Sequence, residues 1–259
     1  MFGFETISTG VILWIVLAVS LAGLIQGTLG FGFPFLATPM VAMVADMRTA
    51  VITILLPTLA TTIATLLTCG PLKPVLRRFW LMPVYAFCGA LIGTSVFVAA
   101  PAFPYQLLLA AIILLYLNLD RISRGEWPLI RRHERAFAPL AGAAAGLFEG
   151  TANVAAPPLI IYYLALGLAP AMLVPALQIC FFIGKTTQFS VLTLRGGVGA
   201  AQWIATLPLV LFAIGGVFIG ARIRGRIHAE TYRVWVKRSL LVIALALLLQ
   251  YGYNVVAHH

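Results

Sequence analysis

A few side chains stand inside otherwise apolar segments of this sequence and could do chemistry there. Lys185 is the basic residue set deepest within an apolar run, the stretch 170–193. An ammonium group at membrane depth costs ~2.5–3.5 kcal/mol on insertion scales, so such a residue marks a functional site by default. Gln178 lies seven residues before it and Gln188 three after, on roughly one face of a helix. A cation flanked by amides on one face suits an anion. Glu149 is the only acid inside an apolar run. Two roles are open to it: carrying a coupling proton, or standing as an ion pair with Lys185.

The backbone supplies a second kind of chemistry. The stretch GLIQGTLGFGFPFLATP (23–39) holds four glycines and two prolines, the residues a helix interior tolerates worst. In hydrocarbon, unpaired N–H and C=O groups cost several kcal/mol each, so a break survives only against protein or a wet cavity. Gly30-Phe31-Gly32-Phe33 and Gly150-Thr151-Ala152-Asn153 are read as two such cavity-lining loops. Gln26 and Thr28 stand beside the first loop, where the backbone must be solvated. A proline follows each loop where a helix would restart: Pro34 or Pro39, and Pro157-Pro158. Thr38 or Asn153 would supply capping oxygens. Two helix N-termini would then aim their free N–H groups at the membrane midplane and favour an anion. The plainer alternative is that glycine and proline only kink these helices for packing. The expected substrate-binding set is Gln26, Thr28, Gly30, Gly32, Gly150, Thr151, Asn153, Gln178 and Lys185, with Glu149 the candidate for proton coupling. Thr58, Thr61, Thr65 and Thr68 form a further hydroxyl stripe, whose bland role is to satisfy their own i−4 carbonyls.

The elements that must hold these groups follow from composition. Of 259 residues 62% are hydrophobic and 9% charged, against roughly 25% charged in soluble domains. Apolar runs near the ~20-residue spanning length recur, and no ~10-residue alternating segments suggest a barrel. The fold class is therefore an all-α polytopic membrane protein. The net charge of +10 sits between the apolar runs, as orientation signals do, and not in a patch for nucleic acid. Cys69, Cys88 and Cys180 show no CxxC or His spacing, so neither a disulfide framework nor a metal site is expected. No nucleophile-elbow, zincin, Walker or dinucleotide motif is present, and the reading is of a non-enzyme without cofactor.

The apolar runs are 10–30, 33–45, 48–69, 79–99 and 103–119, then 137–149, 153–168, 170–193, 200–221 and 233–256. A polar linker, 120–136, divides them into an N-terminal repeat (1–119) and a C-terminal repeat (137–259). Leu21-Ala22-Gly23 aligns with Leu140-Ala141-Gly142, and the same offset places Gly27 on Gly146 and Pro39 on Pro158. Gly89 and Gly93 correspond to Gly216 and Gly220, small-xxx-small spacings for close helix contact. If each broken element crossed once, Lys and Arg in the loops would divide nine against seven. If each is a hairpin returning to its own side, the split is fourteen against two, Arg48 and Arg195. The positive-inside rule selects the hairpins. Each half is then a broken, re-entrant hairpin plus three spans, the halves are inverted, and both termini lie outside. Hairpin arms of 13 to 16 residues look short for a full crossing. Inverted repeats with discontinuous helices describe secondary transporters.

GLIQGTLGFGFPFLATPM (23–40) and GLFEGTANVAAPPLIIYYLALG (146–167), repeated around a basic linker, resemble the sulfite exporter TauE/SafE family, the toluenesulfonate uptake permeases. Phe33 and Pro34 stand where that family's first motif has glycines, and Ala155-Ala156 where its second does. The resemblance implies a secondary transporter in a bacterial inner membrane, an exporter of a small sulfur-containing anion such as sulfite, a sulfonate or sulfoacetate. Its implied partners are the anion, the lipid bilayer and a coupling ion, H+ among the candidates. Another small anion (carboxylate, thiosulfate or sulfate) and a non-transporting membrane protein are the alternatives.

Overall fold

The computed structural model describes residues 8–118 and 128–223, with Leu241, Ala244, Leu245, Leu248 and Leu249. Most of the last expected span (233–256), linker residues 120–127 and the basic run from Arg224 to Arg238 lie outside the described residues. The described residues hold eleven helices and no strand. They are α1 (Thr9–Leu29), α2 (Phe33–Ala42), α3 (Met47–Leu66), α4 (Leu72–Phe79), α5 (Leu81–Ala99) and α6 (Tyr105–Leu117). After the linker come α7 (Pro128–Arg132), α8 (Glu134–Ala152), α9 (Ala156–Ala165), α10 (Pro170–Leu194) and α11 (Ala200–Ile223). Four of them, α1, α3, α5 and α11, are long and apolar enough to cross a membrane. The chain is a multi-pass membrane protein, and its outer face agrees: Leu13, Ile92 and Leu211 are 64%, 59% and 74% exposed. Large apolar side chains turned outward are what hydrocarbon solvates.

The first break falls where the sequence places it, and the second lies at 153–155, later than the expected Gly150–Asn153 loop because α8 continues to Ala152. α1 and α8 run 21 and 19 residues, enough for a full crossing at 1.5 Å per residue. Only the return arms are short: α2 and α9 have ten residues each, about half the hydrocarbon thickness. Ser8 caps the start of α1, and Asp46 that of α3 through the Thr49 N–H at 3.0 Å. α1 ends at Gly30, whose positive φ of 81° lets its N–H close on the Gln26 carbonyl at 2.8 Å. Pro34 and Pro157 occupy the first turns of α2 and α9. The Lys73–Arg78 stretch, read as loop, is the short helix α4, which buries Val75 and Phe79 and turns its cations outward. α8 starts at Glu134, three residues before the expected apolar run.

The long arm of each hairpin packs on a span of the opposite half. A methyl-sized atom on Gly27 would stand 2.1 Å from the Val217 carbonyl oxygen, and one on Gly220 2.2 Å from that of Leu24. At the second seam, Gly146 meets Ala86 O and Gly89 meets Ala143 O, both at 2.1 Å. These backbones touch because glycine has no side chain, the expected use of small-xxx-small spacing. Contacts advance together along both chains (Gly23 with Ala213, Gly27 with Val217; Gly142 with Met82, Gly146 with Ala86). So α1 runs parallel to α11, and α8 parallel to α5. α10 packs between them against α3 and α5.

These directions fix which loops share an end. Arg48 donates to the carbonyl oxygen of Gly196, joining the turns before α3 and before α11. Arg78 and Glu134 pair at 3.7 Å, joining the starts of α5 and α8 at the other end. α1 and α8 therefore begin at opposite ends of the bundle. A single crossing for each broken element would have separated Arg48 from the 195–199 turn.

Candidate functional site

α10 passes both breaks and touches each with a polar side chain. Gln178 donates its amide N–H to the Gly30 carbonyl oxygen at 2.7 Å, the carbonyl that α1 leaves unpaired where it stops. Two turns on, the Lys185 ammonium is 0% exposed and meets three acceptors at the second break. These are Glu149 Oε1 at 2.5 Å, Gln188 Oε1 at 3.1 Å and Asn153 Oδ1. Of the three ammonium protons, two are hydrogen-bonded, to Asn153 and Gln188, and Glu149 is held as an ion pair. Gln188 completes the ring by donating to the Glu149 carbonyl oxygen at 3.1 Å. Glu149 itself is 2% exposed. The ion pair is buried, with hydrogen bonds supporting the Lys185 side while Glu149 Oε1 has none among the described residues.

Asn153 is the pivot of the second break. Its φ of 64° ends α8 in the left-handed region, which asparagine tolerates better than other side-chain-bearing residues. Its amide N–H reaches Thr38 Oγ1 on α2 at 3.1 Å, so the first short arm meets the end of α8 through these side chains. This corrects their expected role as N-terminal caps. Asn153 closes α8 instead, its N–H bonded to the Glu149 carbonyl, and no side chain caps α9. At the other break Gln26 takes over, its Oε1 accepting from the Phe33 N–H at 3.2 Å while its Nε2 reaches Thr65 Oγ1 at 3.2 Å. Gly30 and Gly32 both have positive φ, 81° and 112°, in the first break.

Lys185, Asn153, Glu149, Gln188 and Thr38 thus form one cluster, and Gln178, Gly30 and Gln26 line the first break. Other expected members sit apart. Thr28 and Thr151 donate their hydroxyls to carbonyls one turn back, Leu24 at 3.0 Å and Leu147 at 2.7 Å. Gly150 is inside α8, not in the break, which runs from 153 to 155. An atom on its Cα would stand 2.4 Å from the Thr94 N–H nitrogen of α5, so its smallness serves the seam. Thr58, Thr61, Thr65 and Thr68 bond their own helix's carbonyls, the bland role expected of them. The sequence reading missed the bond between Thr38 and Asn153 and the buried hydroxyl of Thr94, which has no hydrogen-bond partner beside Gly150. A lone threonine in an apolar return arm was the signal available for the first.

The cluster sets one cation against one carboxylate and two amides at the point where α8 stops inside the bundle, which makes it a position for negative charge. No curated protein and no solved structure matches the chain. The model of the sulfite exporter TauE/SafE family matches residues 15–249, nearly the whole sequence. The chain belongs to that family, a membrane transporter of the sulfite-exporter kind.

Proposed function

We propose that this chain is a secondary transporter that exports a small sulfur-containing anion, sulfite, a sulfonate or sulfoacetate, bound at the cluster around Lys185. The observation that carries the reading is a fully buried ammonium bonded to the residue at which a membrane helix breaks. An incoming oxyanion must replace a partner of this enclosed ammonium, and Glu149, held by charge with no hydrogen bond to its Oε1 among the described residues, is the one that matches it in charge. A displaced carboxylate left charged in this interior would be strongly unfavourable, and a proton removes that cost. Anion and proton then bind together, which makes H+ the coupling ion. Export under this scheme runs along the anion's own outward gradient.

The architecture supports a two-fold relation between residues 1–119 and 137–259 in an inverted sense, since α1 and α8 start from opposite ends. Lys73, Arg77, Arg78, Arg131, Arg132 and Arg135 gather at one end and Arg48 and Arg195 at the other, which supports an inner-membrane protein with both termini outside. Single cysteines at 48 and 195 are expected to react with an impermeant thiol reagent in intact cells. One at 76 is expected to react only after permeabilisation. Reaction at 76 in intact cells would reverse the orientation.

Glu149→Gln separates the roles of the pair. Lys185 keeps its charge but loses its counter-ion, so the variant is expected to be less stable than wild type without anion and more strongly stabilised by it. At an anion concentration of one hundred Kd, binding adds roughly 2.7 kcal/mol. The check is the thermal midpoint of purified protein with sulfite, thiosulfate, methanesulfonate, sulfoacetate, sulfate and acetate. Liposome exchange should persist in the variant while pH-driven accumulation disappears. Acetate acting as strongly as the sulfur oxyanions would favour a carboxylate substrate. Indifference of both proteins to every anion would remove the transport site from this cluster.

A further inference from the structure

A second anionic ligand is implied at the membrane surface, far along α8 from Lys185. A cleft of about 1010 Å³ opens where α4 and α5 of the first half face α7 and α8. Arg77, Arg78, Arg131, Arg132 and Arg135 line it, with Glu134 the one acidic residue among the lining groups. Glu134 neutralises little. Its pair with Arg78 spans 3.7 Å between side chains 37% and 49% exposed, so solvent screens it and leaves the guanidinium available. α4 holds Arg77 and Arg78 in place by burying Val75 and Phe79 behind them. Five planar guanidinium groups around one cleft form a phosphate-recognising arrangement, because each can grip two oxygens at once.

Beyond the arginines, Glu134, His133 and two tyrosines, the wall is apolar on its α5 side. Trp80, Leu81, Met82 and Tyr85 line the cleft along the first turns of α5. Trp80, Leu81 and Val84 are 62%, 38% and 46% exposed, and the outward apolar face continues down the helix to Phe87 and Leu91. A freely soluble anion has no use for that face. The geometry points to an anionic phospholipid whose phosphate headgroup sits among the five arginines and whose acyl chains lie along α5. Basic pockets between membrane helices recognise such headgroups, and a tryptophan at the rim suits the interface. Since the walls come from both sides of the linker, the bound lipid ties α4–α5 to α7–α8.

The test uses the full chain in mild detergent and in nanodiscs of phosphatidylglycerol or phosphatidylcholine. Native mass spectrometry and the thermal midpoint are the readouts. Wild type is expected to retain phosphatidylglycerol under activation that strips phosphatidylcholine, and to melt several degrees higher in phosphatidylglycerol nanodiscs. R131Q/R132Q/R135Q is expected to lose at least tenfold of that preference. R131K/R132K/R135K keeps the orienting charge and part of the preference, which guards against a topology defect in the glutamine variant. Equal retention of both lipids by wild type, or unchanged preference in the glutamine variant, would overturn the assignment. Full displacement of the lipid by millimolar glycerol phosphate would instead make the cleft a soluble-anion site and also overturn it.

Discussion

Lys185→Ala is expected to give a protein that is both poorly folded and inactive. The ammonium is the counter-ion of Glu149 at 2.5 Å, and both groups are shielded from solvent. Removing one partner of a buried pair typically costs 3–5 kcal/mol, because the other charge is left uncompensated. Against a typical total stability of about 5–15 kcal/mol that is a large fraction. Asn153 and Gln188 lose a donor as well, and Asn153 is what shapes the end of α8. The double variant Lys185→Ala/Glu149→Gln removes both charges and is expected to recover most of the lost thermal stability. It should recover no anion exchange, since no counter-charge remains for the substrate. Lys185→Arg keeps the charge but replaces a compact three-proton donor by a planar fork, and partial activity is expected. Size-exclusion profiles, thermal midpoints and liposome counterflow measure the three. Wild-type exchange by the alanine variant would sink the assignment of Lys185 as substrate counter-charge.

Gly27→Leu and Gly146→Leu are expected to be the most damaging substitutions outside the cluster. Each new Cβ would lie 2.1 Å from a carbonyl oxygen of the partner helix, far inside contact distance. The atom in the way belongs to a backbone, so no rotamer change relieves it and the helices must separate. Overpacking typically costs 1–3 kcal/mol. Here it adds the loss of close dispersion contacts, the main force between helices in lipid. Gly215→Ala is the control, since nothing lies within 4 Å of its added Cβ. The thermal midpoint of the leucine variants should fall by many degrees while Gly215→Ala stays near wild type or above it. A Gly27→Leu protein as stable as Gly215→Ala would mean that α1 and α11 are not in backbone contact.

The first break and the glycine seams were legible because each rests on a local rule. Gly30, Gly32, Pro34 and Pro157 disrupt or restart a helix whatever surrounds them. Arm length was less legible. The apolar run before the second break starts at 137, yet α8 begins at Glu134 and continues to Ala152, because helices extend through polar and glycine residues once packing supports them. That continuation also explains Gly150, expected in a loop and found in a helix against Thr94. Of the candidate site, Lys185, Gln178 and Glu149 were visible as polar groups in apolar runs. Their pairing was one of two readings, since sequence gives helical faces but not which faces meet. Asn153 and Thr38 were singled out as caps; only the crossing of α2 over the end of α8 turns them into partners.

The seam between α1 and α11 has a consequence for biogenesis. α1 leaves the ribosome first, but its partner begins only at residue 200. At ~5–20 residues per second, the ridge bearing Gly23 and Gly27 waits on the order of 10–40 s for Ala213 and Val217. α8 finds α5 already made. The two seams are alike in the finished molecule, yet they close in a set order, the α5–α8 joint early and the α1–α11 joint last. A truncated nascent chain ending before residue 200 therefore holds the complete Lys185–Glu149 pair with α1 unclasped. Quality control acting on unfinished chains would meet α1 as its exposed element, and a chaperone that shelters small-residue ridges in the bilayer would have its longest task there.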